Sequence, residues 1–340
     1  MRKTCLALEV AAVLLCLGTA LYAWPSEIDA QLTARRRLFS DLGPGLREIR
    51  RTPNGNYYVL ASPVGIAIFD SQFKPLAVLG AAPASPTANP AGRAPIAFGE
   101  DCDVDSQGNI LVADPAYNLI TVFAPDGKQL RSFPVNAPVS VAALPDGEVA
   151  VTTLERKHLV SIYGPDGKIA REFGDPESVS SRPDVDQLAN FGRVISDPQG
   201  HLYFGFTYLP EPLVRQYDRF GYAGQSFEFT GIDAFAEAQA TRKEIDRLES
   251  APRKDAAKPP VLHPILTAFG VDPVSGDLWM GLHNTIVHFD KDGIRRSEYQ
   301  VYTTKGARLE AVVILVQEET LLIASDPLGV YEFARPDKLH

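Results

Sequence analysis

Between Asp105 and Phe133 the chain reads "DSQGNILVADPAYNLITVFAPDGKQLRSF": short runs of Ile, Leu, Val and Phe broken by the Gly-bearing turn signatures "SQGN" and "APDGK". No 3.6-residue periodicity runs through it, and β-strands joined by tight turns fit the pattern. Three or four such strands form one small sheet. Its apolar faces are too large to stand alone in water, so another element must cover them.

The rest of the chain repeats the unit. "FAPDGKQLRSF" (Phe123 to Phe133) has relatives in "YGPDGKIAREF" (Tyr163 to Phe173), "YDRFGYAGQSF" (Tyr217 to Phe227) and "FDKDGIRRSEY" (Phe289 to Tyr299). Each places a Gly four residues after an aromatic and a second aromatic ten residues after it. "FDSQFKPLAVL" keeps the spacing with Phe73 in the glycine slot, and a last copy starting at Phe333 runs off the end of the chain. Upstream halves match too, from "TPNGNYYVLAS" and "DSQGNILVAD" to "VQEETLLIAS". Self-similarity at about 40 residues, with turn glycines between β-branched and aromatic runs, predicts an all-β fold: a six-bladed β-propeller of four-stranded blades.

The sixth repeat stops after its third strand, at "GVYEFARPDKLH". An open three-stranded end would expose an unpaired edge. "RRLF" (Arg36 to Phe39) resembles the fourth-strand ending "LRSF". Ala34 to Ser40 is therefore expected to complete the last blade and close the ring. Residues 24–340 then form one propeller domain.

Charge and the leading segment restrict the setting. The chain carries a formal charge of -9, so clustered Lys and Arg for nucleic acid are lacking. Arg2 and Lys3 precede an apolar stretch from Val10 to Ala23, the pattern of a secretory signal over residues 1–23. The expected location is secreted or periplasmic, with membrane attachment only if this segment stays as an uncleaved anchor. Of three cysteines, Cys102 alone lies beyond the segment, so the mature chain is expected to have no internal disulfide.

"D-x-x-G-N" followed by three apolar residues and "A-D" at Asp105 to Asp114, then "F-x-x-D-G-K" at Phe123 to Lys128, resembles the NHL-repeat type of six-bladed propeller. The resemblance spans about residues 34 to 340 and implies fold more than activity. Similar propellers include scaffolds, kinase sensor domains, protein-binding modules, lactonases and amidating lyases.

Loop placement is the remaining guide to a site. The short Gly turns fall on one face of the disk. All three insertions, residues 80–99, 174–192 and 231–264, are blade-to-blade crossovers on the other. An array that gathers its insertions on one face presents that face for binding. The third insertion predicts a helix over about Asp233 to Ser250, either a docking lid or a cover packed on the blade four to five junction.

Innermost strands line the channel, and counting back from each turn brings Glu48, Asp101, Ser140, Arg193, Ala268 and Glu310 to its mouth. Glu48, Asp101 and Glu310 are the candidate ligands for a divalent cation such as Ca, against a plain solvated channel in which Arg193 balances the acids. Loops add Asp114, Tyr117, Arg156, His158, Tyr208, His283 and Asp326 as further ligand-binding candidates. Neither histidine has an identifiable partner in the sequence. There is no G-x-S-x-G elbow, H-E-x-x-H, C-x-x-C or phosphate loop. The expectation is an exported binding or scaffold module that takes a protein or small ligand on its loop-rich face. The alternative is a metal-dependent small-molecule hydrolase or lactonase with its site at the channel mouth.

Overall fold

A computed structural model describes residues 30–62, 65–80, 96–154, 157–231, 235–250 and 260–338. Its strands form six sheets. The first strands of the sheets are Leu46–Arg51, Asp101–Val104, Pro138–Ala143, Gly192–Ser196, Ala268–Val271 and Val313–Val316. They lie innermost, and the last of them touches the first, so the sheets surround a channel as a six-bladed propeller.

Burial follows from stacking blade on blade. Second strands such as Tyr57–Ala61, Ile110–Asp114 and Leu202–Phe206 are buried at every position, because neighbouring blades cover both faces. That is why they read as continuous apolar runs. Outermost strands such as Ile169–Phe173 expose most positions and bury only the last aromatic.

Those last aromatics connect the blades. Phe133 of blade two stacks on Tyr163 of blade three at 5.0 Å, Phe173 meets Tyr217 at 5.2 Å, and Phe227 meets Phe289 at 6.1 Å. Leu79 takes the same place against Phe123, and Tyr299 shares a cluster with Phe333. The two aromatics of each repeat are thus the two halves of inter-blade contacts, each adding about 0.5–1.5 kcal/mol beyond area burial.

The repeated turn glycine follows from the same contact. Each third-to-fourth-strand turn lies across the outer strand of the preceding blade. A Cβ on Gly167 would sit 2.7 Å from Phe133, and one on Gly221 would sit 2.5 Å from Phe173. Blade one departs from the rule because its predecessor in the ring is built differently. Phe73 adopts the same left-handed backbone, with φ 63°, and packs on Phe39 at 5.6 Å and Tyr57 at 5.0 Å.

The leading chain supplies Phe39. Arg36–Leu38 pairs antiparallel with Gly329–Ala334 as the fourth strand of blade six, and Arg36 forms a two-pronged ion pair with Glu332. Just before it, Ala30–Thr33 adds a parallel fifth strand to blade five along Arg295–Tyr302. The fifth strand is not anticipated by the repeat, because its four residues have no counterpart in other blades. After the last strand, Arg335 is 1% exposed and donates to Asp272 at 2.5 Å and to the Gln317 carbonyl at 2.9 Å. This pins the chain end to blade five.

Among the described residues, two α-helices stand in the crossovers. α1 (Pro183–Ala189) lies in the second insertion, where Val185, Leu188 and Ala189 give the helical spacing that sequence reading passes over. α2 (Ala236–Ser250) lies within the helix expected from Asp233. Its Ala238, Ile245 and Leu248 are buried in the propeller clusters, so its apolar stripe faces inward as a cover. Residues 1–29, which hold the expected signal, and most of insertion 80–99 lie outside the described residues. Among the described residues no helix is long and apolar enough to cross a membrane.

Gly221→Ala forces a Cβ onto Phe173 at a φ of 95°. It should cost about 2 kcal/mol or more in urea unfolding, and a loss below about 0.5 kcal/mol would remove the turn from the inter-blade contact. Arg335→Ala leaves Asp272 buried without its cation. A loss of about 3–5 kcal/mol is expected in the same assay.

Candidate functional site

Strand alternation sends every second residue of an innermost strand toward the channel. On blade one these are Glu48 and Arg50; on blade two they are Asp101 and Asp103. Arg50 joins the two blades, with Nη1 3.1 Å from Glu48 and Nε 3.0 Å from Asp103. Asp101, 1% exposed, accepts from the Cys102 amide at 2.8 Å, from the Val141 amide at 3.1 Å and from the Ser140 hydroxyl. Asp103 accepts from the Ala143 amide at 2.7 Å, extending the network to blade three. Burial pushes the Glu48 carboxyl up to about 7, with Asp101 adding to the rise and Arg50 and Arg193 opposing it. Burial likewise raises Asp103.

Arg193 sits above this network. Its guanidinium lies 3.0 Å from Glu100 and donates to the Arg47 carbonyl at 3.3 Å. Tyr208 packs edge-on against Phe191 at 5.6 Å, and burial together with nearby Glu100 raises its phenol. The expected balancing of acids by Arg193 is shared, since Arg50 is the cation in direct contact. Sequence reading missed Arg50, although Glu48 and Arg50 at i, i+2 mark one strand face.

Glu310 does not join Glu48 and Asp101. It precedes the blade-six inner strand by three residues and instead contacts His283, Oε1 to Nδ1, at 2.7 Å. Of the described residues, only Asp277, His288 and Asp337 bring three candidate ligand atoms within 4.8 Å of one another. With Asp101 bound by three protein donors and Glu48 on Arg50, the three acids offer a cation no joint set of oxygens. Asp277, His288 and Asp337 lie on the turn-bearing face, where Arg335 grips Asp337 with two nitrogens. Burial lowers the His288 imidazole there, against the pull of both acids, and Trp279 stacks on it at 4.3 Å.

Other loop candidates take structural roles. Asp114 is buried and accepts four amides, from Ala97, Phe98, Ala116 and Tyr117, so it shapes the first crossover. Tyr117 is half-buried on that turn. Asp326 accepts from the Gly45 amide at 2.9 Å, joining blade six to the entry of blade one. Arg156 lies outside the described residues.

Two cavities open where the second and third insertions return to the blades. The first, about 520 Å³, lies between the blade-three loop and α1, with apolar walls from Val139, Leu159, Phe191 and Phe204. His158 and Thr153 line it, and His158 Nδ1 and Thr153 Oγ1 are buried with no hydrogen-bond partner among the described residues. The second, about 440 Å³, is lined by Glu237, His263, Pro264, His283, Asn284, Arg308 and Glu310. Sequence reading named His158, His283 and Glu310 but could not assign them to two separate cavities.

No protein-family model matches the chain, and no curated protein does. Among solved structures it is similar to a streptogramin B lyase, with 14% identity over 88% of this chain and 85% of that one and a TM-score of 0.51. It is also similar to the virginiamycin B lyase from Staphylococcus aureus, at 14% identity over 88% and 87%, with a TM-score of 0.49. At such identity the first likeness supports the propeller fold alone.

A carboxyl raised to about 7 when folded binds its proton more tightly than in the unfolded chain. Its contribution is complete below about pH 4.5 and is lost as pH rises through about 7. Urea unfolding of wild type and Glu48→Gln at pH 4.5 and 8 should therefore show their stability difference shifting toward the variant by about 3 kcal/mol at the higher pH. Parallel pH profiles would mean that Glu48 is not desolvated.

Proposed function

We propose that this propeller is an exported binding module that holds a small ligand on its loop-bearing face, in the cleft between the blade-three loop and α1. One observation carries the reading. Among the described residues, His158 Nδ1 and Thr153 Oγ1 are buried and unpartnered in the lining of a cavity of about 520 Å³. Buried polar atoms are normally paired, and a ligand group is a direct way to pair two in one cavity. The volume falls within the range of small-molecule sites, about 300–1,000 Å³. Apolar walls at Val139, Leu159, Phe191 and Phe204 suit a ring. An amide beside that ring supplies both a donor and an acceptor for the histidine and the hydroxyl.

The channel acids support binding over metal-assisted hydrolysis, because Arg50, Ser140 and backbone amides already engage them. Export rests on residues 1–23, and the intact mass of the exported chain tests it.

Ligand-observed NMR with a fragment library of ring-bearing amides is the test. Bound fragments should lose about tenfold or more in affinity in both Thr153→Val and His158→Phe. Fragment binding indifferent to both substitutions would overturn the assignment of this cleft.

A further inference from the structure

The second cavity carries charges that the fold leaves unused. Glu237 comes from the first turn of α2, and Arg308 comes from the crossover between blades five and six. They line the same space of about 440 Å³, yet neither side chain has a hydrogen-bond or ion-pair partner among the described residues. Beside them Asn284 Nδ2 is a buried donor without an acceptor among the described residues. Packing does not explain the Asn284 amide, because a buried donor without an acceptor costs free energy, whereas Glu237 and Arg308 reach solvent and stay free to meet a ligand.

The back of the cavity is held firmly. His283 sits at the blade-five turn with φ 57°, a backbone conformation uncommon for a side chain other than glycine. Its ring is fixed between Glu310 Oε1 at 2.7 Å and the Pro264 carbonyl at 3.0 Å, and its amide donates to Thr267 Oγ1 at 3.2 Å. Both ring nitrogens face oxygens, so the ring orientation is fixed from two sides. The lining thus sets the carboxylates of Glu237 and Glu310 against the guanidinium of Arg308.

A lining that carries both signs of charge discriminates by charge pattern. An amine alone meets Arg308, and a carboxylate alone meets two carboxylates. A ligand with both charges satisfies both walls, its ammonium toward Glu237 and its carboxylate toward Arg308 and the Asn284 amide. A bare metal ion is a poorer fit, since no three ligand atoms of this lining gather within 4.8 Å.

We propose that the pocket between α2 and the blade five to six crossover binds a small zwitterion of the free α-amino acid class. The volume admits such a molecule with its side chain. The site is separate from the cleft beside α1 and does not depend on it.

Calorimetric titration of the full mature chain with the panel of protein amino acids, L-alanyl-L-alanine, propionate and ethylammonium chloride tests this. At least one amino acid should bind, with propionate and ethylammonium weaker by about tenfold or more. Glu237→Gln and Arg308→Met should each weaken it about tenfold or more, and His158→Phe should leave it unchanged. Four results would overturn the proposal: no amino acid binding, propionate or ethylammonium binding as tightly, affinity indifferent to both charge substitutions, or loss in His158→Phe. Binding of L-alanyl-L-alanine in preference to every free amino acid would overturn the ligand class. Glu237 is partly exposed and Arg308 exposed, so both variants are expected to fold.

Discussion

Each blade is finished by its neighbour, and the contact that finishes it is an aromatic one. The terminal aromatic of one outer strand lies on the first aromatic of the next repeat, as Phe133 does on Tyr163 and Phe173 on Tyr217. Neither residue can be buried within its own sheet. A chain of such contacts must close on itself or leave one apolar face in water, and this constraint accounts for the unusual course of the N-terminal segment. Arg36–Leu38 completes blade six, and Phe39 meets Phe69 at 4.5 Å in the place that an outer-strand aromatic fills elsewhere.

The same stacking sorts the polar groups. With both faces of the middle strands covered, charge gathers in the channel, on the outer strands and in the turns and crossovers. In the channel it is tightly paired, with Arg50 bridging Glu48 and Asp103 and Asp101 wrapped in donors. Such a network is costly to break and adds only modestly to stability over an apolar core, but it sets one register between the inner strands. Among the described residues, buried polar atoms without a partner border both cavities, His158 Nδ1 and Thr153 Oγ1 at one and Asn284 Nδ2 at the other, and Arg50 Nη2 is a further one in the channel.

The helical insertions serve both ends. α2 buries Ala238, Ile245 and Leu248 against the blades, so its apolar face is spent on cohesion while Glu237 stays at a cavity wall. α1 likewise buries Val185 and Ala189 and bounds the other cavity. A cover of this kind gives a rigid rim to a pocket without contributing a strand to any blade.

The repeat, the six blades and the turn glycines were all legible in the sequence, because they rest on spacing, and spacing is local. Even the odd Phe73 carried information, since it marks the blade whose predecessor is the N-terminal strand. Partnership was not legible. Glu310 stands in register with the channel acids by counting yet bonds His283, because the last inner strand begins three residues later than the repeat implies. Arg50 is two residues from Glu48, but its second partner, Asp103, is contributed by another blade. Glu237 and Arg308 are separated by most of blade five and meet at one cavity only through the return of the crossovers. A strand's face follows from its own alternation, whereas which charges meet across the ring depends on where six sheets come to rest against one another, and that was decided by tertiary packing.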